Sequence, residues 1–366
     1  MIFEKLTFRS VTVRPVLVPL RRPVVSKVGF FDQWPIVLID VETEEGIVGR
    51  SYLEPYLKNS VRSIVPAIHE LATQRKGQPI RPIEDFRQGQ KALNLIGYEG
   101  LAMIAVSGLD MAGWDALAKA ANMPLAVFLG GSIGPVPAYN SNGLWLTDVA
   151  TLAEEARALV SEGGFKGLKL RLGRDRLVDD IKAIEAVRSS VGPDVKLMVD
   201  FNQGLSLGDA LHRCHALDDQ GLYWFEEPIT YNNLAGYAQL SRKLNTPVQL
   251  GENFYGPRSL HQALTVGAGD YVMPDLMRIG GVTGWLRASA IAGAAGVEMS
   301  SHLYPEFSAH LLRVTETAHW LEWQDWADPI LAAPFAVGDS YLAIPNRQGA
   351  GIEWNEAAVK RYRYDA

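Results

Sequence analysis

The sequence predicts an α/β protein: a closed (β/α)8 barrel, preceded by a small α+β capping domain that the C-terminal segment completes. Three observations predict it. Strand-like runs recur after Gly130-Gly131, with starts near Val136, Gly167, Lys196, Leu222, Val248, Tyr271, Val297 and His319, and helical runs lie between the earlier ones. Eight such starts argue for closure over an open sheet. The length of 366 residues suits a barrel of about 250 residues with a smaller partner domain. Finally, three successive runs end in the carboxylates Asp200, Glu226 and Glu252 at an equal interval of 26 residues, which fits one strand, one helix and two loops.

In this reading residues 1–130 form the capping domain, 131–328 the TIM-like barrel and 329–366 a segment that packs back on the cap. Phe8 to Val18 alternates in polarity, and Trp34 to Glu42 followed by Gly46-Ile-Val-Gly reads as a hairpin, so a small antiparallel sheet is expected. Arg21 to Gln33 contains Pro23, Lys27, Gly29, Phe30 and Phe31. It is too irregular for a regular element and too apolar for a plain solvent loop, and reads as a substrate lid or a packed loop. From Val61 to Asn122 the pattern is helical, with Met103 to Lys119 an apolar, small-residue helix fit for burial. Thr151 to Glu162, Leu177 to Val191 and Leu207 to Gln220 are the first barrel helices. Beyond Asp328 a Pro-rich stretch gives way to strand-like Tyr341-Leu-Ala-Ile and Gly351-Ile-Glu-Trp.

A net charge of −6 with 48% apolar residues gives no basic footprint for nucleic acid. The single Cys214 excludes an intramolecular disulfide and reads as core, in keeping with a reducing compartment. Met1 to Leu20 has no apolar h-region, and no stretch of about 20 unbroken apolar residues follows. No membrane partner is expected, and a cytoplasmic location is.

In such barrels the reacting groups sit at the C-terminal ends of strands. Strand one ends in Tyr139-Asn-Ser141-Asn142, strand two carries Lys169 and Arg171 on one face, and strands three to five supply Asp200 with Asn202, Glu226 and Glu252. Strand six ends in Asp275, strand seven in His302, and strand eight carries Glu322. Three carboxylates at adjacent strand ends repel one another, and a divalent cation with oxygen ligands relieves that. Asp275 beside His302 would fix an imidazole tautomer and make a general base. A carboxylate substrate on the metal would have its α-proton acidified, and Glu322, if protonated, could donate to its other oxygen.

The chain resembles the enolase superfamily, mandelate racemase subgroup. The resemblance rests on Gly108-Leu-Asp-Met-Ala-Gly-Trp-Asp-Ala-Leu, Trp224-Phe-Glu-Glu-Pro, Gly251-Glu-Asn, Met273-Pro-Asp-Leu-Met-Arg-Ile-Gly-Gly-Val-Thr-Gly-Trp, Ser300-Ser-His and Ala318-His-Trp-Leu-Glu, in order along nearly the whole chain. It implies Mg2+ on Asp200, Glu226 and Glu252, a His302 base supported by Asp275, Glu322 as hydrogen-bond donor to an enediolate, and Lys169 neutralising the carboxylate. It also implies that Ser141 and Asn202 contact substrate or metal-proximal oxygens, and that the protein is a homo-oligomer acting on a small-molecule carboxylate.

One departure bears on the reaction. Racemases of this subgroup carry Lys-x-Lys, with the second lysine as a base, and here that position is Arg171. Arginine starts above about 12 on the pKa scale, so freeing it as a base costs roughly 7 kcal/mol more than a tuned lysine. One-sided chemistry is expected: dehydration of an acid sugar or hydroxy acid with His302 as base, ahead of racemisation or epimerisation of a 2-hydroxy acid. By the same resemblance the Arg21–Gln33 loop and Leu53 to Tyr56 cover the site. Phe30, Phe31, Tyr56 and Trp323 then suit an apolar group, whereas Lys27, Glu54 and Asn142 suit hydroxyls. Glu54 replaces the apolar residue of the mandelate-specific member, which argues against mandelate. A glycosidase would need neither Asp200 nor the cationic strand, and a Schiff-base aldolase would not need three acids. A non-catalytic binder of metal and organic acid is the remaining alternative.

Overall fold

The computed structural model describes residues 5–365. Strands β1 (Phe8–Ser26), β2 (Gly29–Thr43) and β3 (Val48–Leu53) form an antiparallel sheet in that order. Helices α1 (Val61–Thr73) and α3 (Leu101–Ala120) pack against it, and α2 (Pro82–Ala92) packs on α3. Close approach of α3 to the sheet needs glycine on both sides. A Cβ on Gly108 would meet Ile39, and one on Gly49 would meet the backbone of Ala112. The helix is long and apolar enough to cross a membrane, but 72% of that window is buried inside the protein.

The irregular loop expected at Arg21–Gln33 is instead a long hairpin. β1 and β2 pair from Phe8↔Thr43 to Ser26↔Gly29, and a register shift between Pro19 and Val24 absorbs the Arg21-Arg22-Pro23 insertion that breaks the alternation. The hairpin tip reaches the barrel, where Leu146 N donates to Val25 O at 2.8 Å. Arg21 and Arg22 pair with Glu162 at 2.9 and 2.5 Å.

After the short helix α4 (Leu125–Phe128), parallel strands β4 (Pro135–Asn140), β5 (Gly167–Arg171), β6 (Lys196–Asp200), β7 (Phe225–Glu226), β8 (Val248–Leu250) and β9 (Tyr271–Val272) run side by side in sequence order. The seventh strand is reduced to bridges, Val272↔Met299, Met299↔Ala318 and Asp275↔His302. β10 (Leu321–Trp323) then pairs with β4 and closes the barrel. Helices α5 (Val149–Ser161), α6 (Leu177–Val191), α7 (Leu207–Leu217), α8 (Leu234–Lys243), α9 (Pro257–Thr265), α10 (Leu276–Ile279), α11 (Gly281–Ala295) and α12 (Pro305–Leu312) fill the intervals. Cys214 is buried, as its place on α7 suggested.

The C-terminal segment divides its contacts. β11 (Val337–Gly338) and β12 (Tyr341–Ala343) form a hairpin that pairs antiparallel with the first half of β4, so the strand at Tyr341 extends the barrel sheet and not the cap. Further on the chain does reach the cap: Ala350 N donates to Asp115 Oδ1 at 2.7 Å, and Trp354 Nε1 donates to Asp40 Oδ1 at 2.7 Å. After α13 (Glu356–Arg361), Leu17 N donates to Tyr362 O at 2.8 Å and Tyr364 N to Pro15 O at 3.0 Å.

Candidate active site

Parallel register places the ionisable residues at one end of the barrel, since Arg171 pairs with Asp200 and Asp200 with Glu226. Lys169, two residues before Arg171 and on the same face, points inward. Its Nζ lies 2.5 Å from Glu226 Oε1, 2.7 Å from Glu322 Oε1 and 3.5 Å from Asp200 Oδ2. Burial opposes its charge, but Glu226, Glu322 and Asp200 outweigh burial and raise its pKa. Burial pushes Glu226 up to about 8 despite the ammonium beside it. Burial also favours the neutral form of Glu322, yet Lys169, His302 and Arg171 overcome it and hold Glu322 well below the usual range. Glu322 is therefore a carboxylate here, accepting from Ser141 Oγ at 2.8 Å and Leu303 N at 3.1 Å.

Asp275 and His302 form a bridge between neighbouring barrel segments, with His302 Nδ1 2.8 Å from Asp275 Oδ2. The other oxygen of Asp275 caps α10, accepting from Met277 N and Arg278 N. His302 Nε2 lies 3.2 Å from Glu252 Oε2. Burial alone would lower the imidazole pKa, but Glu252, Glu322 and Asp275 raise it to about 9.

Arg171 is held through both terminal nitrogens. Nη1 donates to the carbonyls of Ser141 and Gly143, Nη2 donates to Ser141 Oγ at 2.9 Å, and the guanidinium carbon lies 4.0 Å from the centroid of Trp145.

Above these groups lies a cavity of about 300 Å³. Lys169, Arg171, Asp200, Asn202, Glu252 and His302 line its barrel end, and Val24, Val28, Phe31, Trp34, Tyr56 and Leu57 line its cap end. Of the residues expected to contact substrate, Asn202, Phe31 and Tyr56 line this cavity; the others do not. Phe30, at the hairpin tip, is 66% exposed. The stem of Lys27 runs across Gly173 and Gly204, where a Cβ would strike it. Glu54 is buried behind the wall, its backbone N–H donating to Tyr304 Oη, and burial with Asp275 and Glu306 nearby raises its carboxyl pKa well above the ordinary value. Trp323 is buried and its carbonyl accepts from Ser141 N. Ser141 itself joins Glu322, Arg171 and Gln324 beneath the cavity. Sequence reasoning missed Trp34, Trp145, Trp326 and Arg278, which complete the wall. It also missed Glu227, fully buried beside Glu226. The signal for Glu227 was a second acid at a strand end; Trp34 lies on β2, whereas Trp145 and Trp326 stand in loops outside any strand pattern.

The donor set fits a hard divalent cation: three carboxylates on consecutive strands, with oxygen ligands only. As the side chains are turned, no three acids or histidines converge on one metal position among the described residues. The Lys169 ammonium takes up Glu226, and Asn202 takes up Asp200 through its backbone and side-chain nitrogens.

Residues 8–130 match the family "Mandelate racemase / muconate lactonizing enzyme, N-terminal domain", and residues 151–358 match "Enolase C-terminal domain-like". The chain belongs to the mandelate racemase/muconate lactonizing enzyme family of the enolase superfamily. As a member of that family it is an enzyme with a capping domain and a TIM barrel. A solved enolase from the alpha proteobacterium bal199 with bound Mg is 56% identical, with a TM-score of 0.97 over 98% of this chain and 100% of that one. A Bradyrhizobium enolase complexed with magnesium and mandelic acid is 40% identical, with a TM-score of 0.95 over 99% and 100%. The L-talarate/galactarate dehydratase of Salmonella typhimurium is 32% identical over 88% of this chain and 81% of its own.

Proposed function

We propose that this family member removes the α-proton of a 2-hydroxycarboxylate from one face, with His302 as the base, and expels a β-hydroxyl as water. The observation that carries this is the asymmetry across the cavity. On one side stands an imidazole oriented by a carboxylate at 2.8 Å; on the other stands a guanidinium held by carbonyl acceptors and an indole ring. Neutral His302 Nε2 takes the α-proton and the electron pair moves into the substrate carboxylate, giving an enediolate. The β C–O bond then breaks, the imidazolium returns its proton to the departing hydroxide, and the enol product tautomerises to a 2-keto acid. Lys169 and Arg171 neutralise the substrate carboxylate. A magnesium ion held by Asp200, Glu226 and Glu252 would supply Lewis-acid stabilisation of the same charge.

The apolar cap wall and the mandelic acid bound by the 40% identical neighbour favour a second reading, racemisation of a 2-hydroxy acid with an apolar substituent. With Glu54 behind the wall, its carboxylate no longer argues against such a substrate. One experiment separates the readings. The Mg2+-loaded enzyme is incubated in D2O with a panel of 2-hydroxy and 2,3-dihydroxy carboxylates. Formation of 2-keto acid supports dehydration. Deuterium incorporation with inversion and no loss of water overturns it in favour of racemisation.

A further inference from the structure

Three polar residues from three strand ends, buried Glu227 and Arg278 and half-buried Asn253, meet at the segment that carries Glu252. Asn253 Nδ2 donates to Glu252 Oε1 at 3.0 Å and to Glu227 Oε2 at 3.1 Å. Glu227 Oε1 accepts from Gly251 N at 3.1 Å. From the next strand end, Arg278 Nη1 donates to Asn253 Oδ1 at 2.7 Å and to the Glu252 carbonyl at 2.9 Å. The guanidinium carbon of Arg278 lies 4.6 Å from the centroid of Tyr56. Residues 251 to 253 are thus tied on one side by a carboxylate and on the other by a guanidinium.

We infer that Glu227, Asn253 and Arg278 form a positioning clamp that fixes which oxygen of Glu252 faces the cavity; this rests on the reading of Glu252 as a metal-holding carboxylate. The amide of Asn253 can be placed in only one sense, because its nitrogen meets two carboxylates and its oxygen meets a guanidinium. In that sense it occupies Oε1 of Glu252 and leaves Oε2 facing His302. Glu227 adopts φ +37°, a left-handed conformation that a glutamate rarely takes, and its backbone N–H and C=O are bonded to Gln249 O and Gln203 N. Gly251 is constrained as well: its φ is +129°, and a Cβ there would meet the Phe254 ring.

Outer partners that orient a ligand are worth about 10- to 100-fold in metal affinity. The test is titration calorimetry with Mg2+ alone on the full chain, with melting in EDTA measured in parallel. Asn253→Ala is expected to weaken Mg2+ binding about 10-fold or more with little change in the EDTA melting temperature, a combination that a merely structural role would not produce. Should that variant fail to fold, Arg278→Lys, which keeps the charge and loses the fork, is expected to weaken binding in the same direction. Wild-type affinity in a folded variant overturns the clamp while leaving the metal reading intact. Absence of Mg2+ binding by the wild-type chain overturns the metal reading, and the clamp with it.

Discussion

The guanidinium of Arg171 lies over the indole of Trp145, with its central carbon 4.0 Å from the ring centroid. This pairing, with the carbonyls of Ser141 and Gly143, fixes the guanidinium of Arg171 at the position where the racemases place a base. Arg171→Lys replaces a group that cannot release its proton with one that burial and a neighbouring cation bring into range. The variant is expected to gain α-proton exchange with inversion, detected by chiral chromatography of substrate recovered from D2O. Dehydration falls because the two-sided hold on Ser141 is lost. A variant that exchanges from one face only would assign the limit to something other than Arg171.

Asp275 gives one oxygen to His302 and the other to the start of α10, so Asn at this position separates the two duties. Asparagine is an equally good helix cap, and the melting temperature should hold to within a few degrees. The imidazolium loses its carboxylate partner, and kcat should drop by about 10²- to 10⁴-fold, close to the loss for His302→Asn. Steady-state kinetics beside thermal melts of both variants check this.

Trp326 lies with its ring centroid 4.3 Å from that of Trp34 and 6.5 Å from that of Trp145, forming an aromatic surface opposite the charged barrel end. Trp326→Ala should reduce kcat/KM for a substrate with a bulky apolar substituent by about 10- to 100-fold, and leave a small 2-hydroxy acid nearly unaffected. Equal losses for both would assign Trp326 to packing alone.

Buried His310 accepts a hydrogen bond from Ala126 N at its Nδ1, and burial pushes its pKa from 6.5 down to about 4. The unfolded chain binds this proton more readily, so the stabilising contribution is complete above about pH 6.5 and is lost as pH falls through about 4. At about 1.4 kcal/mol per pH unit this amounts to roughly 3 kcal/mol. Denaturant melts of the metal-free protein at pH 7 and pH 4.5 should show a smaller loss for His310→Gln than for the parent chain.

Residues whose chemistry is announced by strand periodicity were legible before folding. Asp200 and Glu226 are register partners at neighbouring strand ends, Glu252 follows two residues past the next strand, and Lys169 and Arg171 share a face because strands alternate. The cavity wall was not legible in the same way. Phe30 and Phe31 are adjacent in sequence, yet hairpin geometry sends Phe31 inward and Phe30 to solvent, which only the β1–β2 register decides. Glu54 misled for a related reason: its position one residue past β3 suggests the site, but its side chain is buried near Asp275 and Glu306 and does not line the cavity. Strand seven, expected from a start near Val297, is present only as the bridges at Met299 and His302, so its end residue was legible but its shortness was not.

The contacts of Leu17 with Tyr362, and of Pro15 with Tyr364, fasten the end of the polypeptide to the same strand that carries Val24 and Ser26 into the cavity. The cavity wall is therefore built on a strand whose backbone partners lie more than three hundred residues away in sequence, at Tyr362 and Tyr364. A chimera that moves residues 5–130 onto a different barrel would leave β1 without its tail partners. Recombination aimed at a new substrate has to carry residues 349–364 along with the cap.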